Sequence, residues 1–436
     1  MKSLTKIFTC LILVVAVSTI SSCSKTALEQ PEVLIATSDD HPKLQFNGRE
    51  LGGRKVYISN IDQLYMAIND PSNAGNTLVL APATYVLSPN YPKAGRLELQ
   101  HNMSMIGKPG DVNAVVIDVS GLPASSYIIP PTQLRTAPIR MGNGYNAIEW
   151  ITFTNNPTNI LRSMIQTDIV AKQNVSDPAP LAQVRIAHTI IKNSSIGLSI
   201  VNRDPSANGR VLEAEVEYNE IFNNIQPQFG SGVQIQNSQS VTGALITVNL
   251  KGNYFHDNRQ GLNMFNSSSK GYNRIVARSI SDRLEKNGIG LVLTAGLNSI
   301  ESTAQIIGNT VDFGANATSI RYNGNGSPAP LSNYIAGGVF ISGGNVGRLA
   351  PSSGAPGTVI SNSVDAVFKG CRIENNFSNA DINVFGAYSS LTSPLPAGIN
   401  NSSVLVLLGV SKQATVNAVA SFPFEPAGTN TVTVQP

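Results

Sequence analysis

The sequence predicts an all-β chain wound as a parallel β-helix, and three observations carry the prediction. The first is composition. Of 436 residues, 44 are Asn and 37 are Gly, while charged residues make up only 13%. Asn and Gly favour turns and disfavour helix interiors, and a long helical bundle would need a Lys- and Glu-rich exposed surface. The second is a repeat. Asn recurs at Asn156, Asn193, Asn224, Asn258, Asn287, Asn316, Asn345 and Asn376, in steps of 29 to 37 residues. The residue three places earlier is apolar in seven of the eight cases, from Phe153 and Ile190 to Ile373, with Ser342 the exception. The third is alternation. Gly197-Leu198-Ser199-Ile200, Gly261-Leu262-Asn263-Met264 and Gly290-Leu291-Val292-Leu293 follow the Asn as period-two runs, and similar runs precede it. Each period then holds about three short strands with turns between them. One such unit cannot bury its own apolar face, but stacked units can. Stacked coils hydrogen-bond as parallel strands about 4.8 Å apart. The Asn stands where the chain bends, and its amide can bond the Asn of the next coil. A β-propeller would need about 40–50 residues per blade and aromatic signatures, and this chain has one Trp, Trp150.

In chain order, residues 1–22 read as a secretion signal. Lys2 and Lys6 lead into an apolar stretch at 7–17 that is too short to span a bilayer comfortably. Ile20-Ser21-Ser22-Cys23 resembles the lipobox of bacterial lipoproteins. That makes Cys23 the expected lipidation site, and the membrane a partner through the N-terminal lipid. Ser24 follows the Cys, and by resemblance to Gram-negative lipoproteins a residue other than Asp there implies the outer membrane. Residues 23–50 are polar and Pro-containing and read as a tether. Within an N-terminal cap at 51–75, residues 62–69 carry Leu64, Ala67 and Ile68 at helical spacing, so a short helix is expected over the open end of the core. Coils fill 76–390, about 11 of them at roughly 30 residues each. Residues 324–357, with Gly337-Gly338 and Gly343-Gly344, read as a coil with loop insertions. Residues 391–436 are expected to close the C-terminal end, since 404–436 is apolar but poorly periodic. Cys10 leaves with the signal and Cys23 takes the lipid, so Cys371 has no disulfide partner and reads as a small buried hydrophobe.

The run Leu78-Val79-Leu80-Ala81-Pro82-Ala83-Thr84-Tyr85 resembles the first coil of the right-handed parallel β-helix proteins, the pectin-lyase-like superfamily. There, apolar residues lead into a Pro-Gly-Thr-Tyr turn; here Ala83 replaces the Gly. The resemblance covers residues 76 to about 390 and implies a right-handed helix, with early coil segments at 77–87, 97–107 and 114–122. It also implies where chemistry would lie. Pectate lyases of the superfamily pair a calcium-binding carboxylate cluster with an Arg or Lys base. The related galacturonan hydrolases use Asp residues within Asn-Thr-Asp, Asp-Asp, Gly-His-Gly and Arg-Ile-Lys signatures. This sequence has neither Asn-Thr-Asp nor Gly-His-Gly, its Asp39-Asp40 falls in the tether, and Arg372-Ile373 is followed by Glu374. Arg185-Ile186-Ala187-His188 lacks the Trp and the Asp of the lyase segment Val-Trp-Ile-Asp-His. The resemblance thus implies a fold and brings no active site with it.

Read from the residues alone, three groups could carry chemistry. His256-Asp257 and Glu285-Lys286 precede the ladder Asn in adjacent coils, Arg259 lies just past Asn258, and Glu374 takes a similar place further on. Stacking would bring the first two pairs to about 5 Å. His256, Asp257, Arg259 and Glu285 are the candidate catalytic residues, with acid and base roles for the His and the carboxylates. Asp257 and Glu285 are the candidate ligands for calcium, the one cofactor considered. A solvated turn with interleaved charges is the plainer alternative. Glu213, Glu215 and Glu217 share the outward face of one strand, which suits solvent, a cation or a cationic ligand. Arg274 and Arg278 share a face that could meet an acidic sugar. His101 and His188 are lone and read as structural. A net charge of +3 argues against nucleic acid as the main partner. Two functions fit. One is a lipid-anchored cell-envelope protein whose Asn-, Ser- and Thr-rich faces bind polysaccharide; were it an enzyme, it would be a polysaccharide lyase or glycoside hydrolase. The other is a non-catalytic surface scaffold or adhesin-like protein, which the missing superfamily motifs favour.

Overall fold

Alternation sets the strands. In Val211–Glu217 the side chains of Leu212, Ala214 and Val216 are buried while Val211, Glu213, Glu215 and Glu217 are not. Arg274–Ile280 repeats the pattern with Ile275, Ala277 and Ser279 inside. The structure, a computed structural model, describes residues 45–46, 49–50 and 53–435, apart from 124–127, 130–133, 136, 143, 157–162, 168–180, 203–207, 226–229, 239–240, 267–271, 300–305, 325–336, 344, 349–358, 378–379, 389–400, 412–413 and 423–427. The described residues belong to the unit His41–Pro436. The signal 1–22, Cys23 and most of the tether 23–50 lie outside them; inside the tether, Gln45–Phe46 pairs antiparallel with Arg49–Glu50.

A full coil contributes one strand to each of three parallel sheets, and the coils at the ends omit some. Sheet I has 12 strands, from Lys55–Ile58 to Gly428–Gln435. Sheet II has nine, from Ala83–Val86 to Arg372–Glu374, and sheet III has 12, starting at Leu97–Glu98. One coil runs Leu181–Ala187, Ile190–Lys192 and Ile196–Asn202. The chain then returns as Val211–Glu217, which pairs in parallel with Leu181–Ala187 along its whole length. This is the parallel β-helix expected. Its core is a set of stacked columns, such as Val184, Ala214, Val248, Ala277, Phe313, Ala366 and Leu405. Ala277 and Ala366 flank Phe313, so small neighbours make room for the ring and total volume is conserved along the column.

Both tight turns of the coil use one backbone device. After eight successive sheet I strands, from Gly144–Glu149 to Asn401–Leu408, one residue is left-handed: Trp150, His188, Tyr218, Gly252, Ser281, Ala317, Gly370 and Gly409. Between sheets II and III the same holds for Asn193, Asn223, Asp257, Lys286, Tyr322 and Asn375. A non-Gly residue pays about 1–2 kcal/mol for that conformation. The next residue in each turn offsets it by tying coil to coil. After sheet II, the ladder runs Ser194, Asn224, Asn258, Asn287, Asn323, Asn376 and Asp381, each accepting from the backbone N–H of the one before it at 3.0–3.1 Å. Each Asn Nδ2 from Asn258 to Asn376 also donates to a buried carbonyl of the coil before, such as Ile221 O at 2.9 Å from Asn258.

This corrects the expected ladder. Asn224, Asn258, Asn287 and Asn376 stand in it. Asn193 is the left-handed residue one place early, and Ser194 does the bonding. Asn316 ends a sheet I strand and is exposed, Asn345 begins Asn345–Arg348 in sheet III, and Asn156 is exposed beside Asn155. Three further ladders were not foreseen. After sheet I, Thr189, Asn219, Asn253 and Asp282 are linked in the same way. At the entry to sheet I the series is Asn273, Asn309, Asn362 and Asn401. At the end of sheet III it is Asn202, Asn237 and Asn266.

The glycine at the second place of five successive sheet III strands, Gly197, Gly232, Gly261, Gly290 and Gly338, has a steric cause. A Cβ on Gly261 would lie 2.6 Å from Gly290 O and 3.0 Å from Asn287 Nδ2. The helix falls at Ile61–Asn69, with Asn60 capping the Gln63 N–H and Leu64, Tyr65, Ala67 and Ile68 buried against the first coil. Segment 391–436 supplies Asn401–Leu408, Val416–Phe422 and Gly428–Gln435, which continue sheets I and III as further parallel strands. Gly337 and Gly338 lie within the strand Gly337–Ser342 rather than in an inserted loop. Cys371 is buried and stands in the column of Thr318 after sheet I, where burial pushes its thiol pKa up.

Candidate functional site

The four catalytic candidates lie around the sheet II to sheet III turn, and the structure separates them into different settings. His256 and Glu285 are register neighbours on the outward face of sheet II. The His256 ring packs against Tyr254, 4.1 Å between centroids, and Phe222, 4.8 Å. Its Nε2 lies 3.1 Å from Glu220 Oε1, and its Nδ1 2.6 Å from Asp257 Oδ2. Glu285 turns the other way, accepting from Arg283 Nη2 and Arg321 Nη2, each at 2.8 Å. Burial alone would raise its pKa, but these two guanidiniums outweigh burial and hold it below the usual carboxylate range. Glu374 continues the row beside Arg321 and Arg372. Asp257 and Glu285 therefore do not fit a shared calcium: each is already committed to a different cationic or imidazole partner. Among the described residues no group of three or more His, Cys, Asp or Glu is arranged to hold a metal. Arg259 is 8% exposed and makes no ion pair with any of these.

The group that the sequence singled out as Glu213, Glu215 and Glu217 proves to be part of a larger constellation on sheet I. Parallel register puts Arg185 directly beside Glu215. Its Nη1 donates to Glu215 Oε2 at 3.0 Å and to Glu217 Oε2 at 2.6 Å, and its Nε donates to Glu149 Oε1 at 2.8 Å. Glu213 instead accepts from Gln183 Nε2 at 2.7 Å. The cation suspected for this face is thus an arginine of the preceding coil. Glu149 is buried at 6% exposure beside the outward apolar cluster of Val79, Ile106, Tyr145, Ala147 and Trp150. Burial raises its pKa, Glu217 and Glu215 add to the rise, and Arg185 opposes it. Burial also raises the pKa of the Tyr145 hydroxyl, with Glu149 adding to it. Three carboxylates around one guanidinium leave a net negative charge. A carboxyl whose pKa burial raises, hydrogen-bonded to a guanidinium on an outward face, is placed to take and give a proton.

At the edge of this constellation the left-handed residues stack. Trp150 and His188 lie parallel at 4.1 Å, and His188 and Tyr218 at 5.2 Å. Gly252 ends the run because a Cβ there would sit 2.7 Å from the Tyr218 ring. Burial, then Arg185, lowers the His188 pKa to about 4, so it is neutral at physiological pH. His101 is exposed, with its carbonyl accepting from Gly75. Further along the same face, Arg278 grips Asp312 with two bonds of 3.0 and 3.1 Å, Arg274 lies 3.7 Å from it, and Asp365 is its register neighbour. Sequence reasoning missed Glu149 and Asp312. The signal that could have found Arg185 is the repeat itself, since Arg185 lies one coil, 30 residues, before Glu215.

No family model matches the chain, and no curated protein matches it. Solved structures do resemble it. The mannuronan C-5 epimerase AlgE4 A-module of Azotobacter vinelandii aligns over 86% of this chain and 93% of that one, at 11% identity and a TM-score of 0.40. Pectate lyase Pel9A aligns over 86% and 82%, at 13% identity and a TM-score of 0.33. The Agl-KA catalytic domain aligns over 86% and 65%, at 13% identity and a TM-score of 0.36. At such scores these likenesses say nothing about substrate or mechanism.

Proposed function

We propose that this chain is a lipid-anchored cell-envelope protein that binds polysaccharide along the outward face of sheet I. The observation that carries the reading is the Arg185 constellation together with the face it sits on. Register lines up Gln183, Glu213, Thr247, Val276, Asp312 and Asp365 in one outward column, and Arg185, Glu215, Asn249, Arg278 and Gly314 in the next. Apart from Val276 and Gly314, these positions carry hydrogen-bonding groups about 4.8 Å apart from coil to coil, a spacing comparable to one sugar unit, and planar amide, carboxylate and guanidinium groups bond vicinal hydroxyls two at a time. Any cleavage would fall at the constellation, where burial raises the Glu149 pKa and suits it to the acid role. The anchor rests on Cys23 and its preceding residues, and the outer membrane on Ser24.

A second reading, a non-catalytic scaffold or adhesin-like protein, draws on the sheet II face. There Glu285 and Glu374 are neutralised by Arg283, Arg321 and Arg372, as on a passive surface. One experiment separates the two. The protein without residues 1–23 is offered a panel of neutral and acidic glycans, with and without calcium, and binding and product formation are measured. The polysaccharide reading expects a ligand in the panel whose affinity falls about tenfold or more when Glu215 and Glu217 are both changed to Gln. Silence across the panel would leave the scaffold. Incorporation of labelled palmitate into the full chain, lost in Cys23→Ala, tests the anchor.

A further inference from the structure

Among the described residues, the buried arginines are partnered, with one exception. Arg96 and Arg140 lie 3.1 and 3.6 Å from Glu98, and Arg185 meets three glutamates. Arg259 is as buried as these, at 8% exposure, yet its Nε is sealed from solvent with no acceptor and its guanidinium makes no ion pair with a carboxylate. Its backbone is fixed: its N–H donates to Asn224 O and its carbonyl accepts from Ile289. The side chain follows ladder residue Asn258 and stands outside the core. The positions stacked on it in the next two coils, marked by the same bond to a ladder carbonyl, are Gly288 and Gly324, which have no side chain to neutralise it. Phe377, half exposed, follows in the coil after. Burial lowers the Arg259 pKa with nothing opposing it, but a guanidinium stays charged at any physiological pH. Only the Nε is sealed, so the two Nη are the edge of the fork left open, and a charge this nearly buried calls for an anion that no described residue supplies.

We propose that Arg259 is the recognition element of an oxyanion subsite at the sheet II to sheet III turn, which takes the carboxylate of a uronic-acid unit in an acidic glycan. The subsite lies away from the sheet I face. Its assignment to a glycan rests on the polysaccharide reading, whereas its affinity for an oxyanion does not. The planar guanidinium fork matches a carboxylate with two parallel bonds, which a lysine cannot reproduce.

The test uses thermal unfolding of the purified protein and of Arg259→Met, which keeps the length of the side chain and removes its charge, with Arg259→Lys as a second variant that keeps the charge and loses the fork. Galacturonate, galactose and inorganic sulfate are added separately. Galacturonate is expected to raise the wild-type midpoint by about 2–4 °C at saturating excess, with galactose inert. Arg259→Met should unfold at the same or a higher temperature than wild type without ligand and show no galacturonate shift; Arg259→Lys should keep at most a small one. Equal galacturonate shifts in wild type and Arg259→Met, or none in wild type, would overturn the subsite. A shift with sulfate alone would make it an inorganic-anion site and overturn the uronate assignment. The polysaccharide reading fails separately, on the glycan panel, whatever Arg259 does here.

Discussion

At the residue scale, the informative positions are the charges placed where water cannot reach them. Asp282 takes the ladder place that Asn253 and Asn219 hold in the preceding coils. Its Oδ1 accepts from the N–H and Nδ2 of Asn253, at 2.7 and 2.8 Å, and its Oδ2 from Ser279 at 2.6 Å. Burial still dominates and lifts its pKa from 3.8 to about 6. The folded protein therefore holds this proton more tightly than the unfolded chain. Its contribution to stability is present in full below the unfolded value and is lost as pH rises through about 6. Asp282→Asn has nothing to ionise there and keeps an acceptor for Asn253. The variant is expected to be more stable than wild type by about 3 kcal/mol at neutral pH, shrinking to nothing near pH 3. Urea midpoints measured at both ends of that range decide it; a variant less stable than wild type at neutral pH would show that the ionised carboxylate is the form the ladder needs.

At the element scale, the turn is the unit that defines the coil. In Asn258→Ala the N–H of Asn224 and the carbonyl of Ile221 lose side-chain partners in a buried turn. Each such loss costs about 1–3 kcal/mol, so a destabilisation of about 2–5 kcal/mol is expected. Asn316→Ala, at an exposed strand end, should stay within about 0.5 kcal/mol of wild type. Denaturant midpoints of the two variants measure the difference, and equal losses would contradict the ladder as drawn. The pair also shows how far the sequence could be read. Period, strand alternation and the recurring Gly were legible, because each repeats in the sequence itself. The ladder was half legible. A left-handed residue and a ladder residue sit side by side, and Asn suits both, so Asn193 looked like a rung when Ser194 is one. An insertion hid the rung Asn323, since it lies 53 residues before Asn376 with no rung between them and the even steps pointed to Asn316 and Asn345 instead. The Arg185 constellation was legible only as Glu213, Glu215 and Glu217, because its other members come from earlier coils and only the register brings them together.

At the scale of the whole stack, coils pair only with their neighbours, so stability is close to a sum of coil terms and nearest-neighbour terms. The helix Ile61–Asn69 is the outermost such neighbour at the N-terminal end. Leu64 and Ile68 are buried, and the Tyr65 hydroxyl donates to Gly95 O at 2.7 Å. Truncating a fully buried Leu removes about 2–5 kcal/mol. Where that loss appears depends on how far cooperativity reaches along the stack. If neighbour coupling is the rule, Leu64→Ala weakens the end it caps and leaves the middle alone. Hydrogen exchange of the folded protein is then expected to speed up in Thr77–Leu80 and Ser104–Ile106 and to stay unchanged in Leu245–Lys251, four sheet I strands beyond Ser104–Ile106. Val248→Ala, in the middle of the stack, should instead lower protection on both sides of its own coil. A uniform loss of protection in both variants would mean that the stack opens as one cooperative block, and the additive picture of coils would fall.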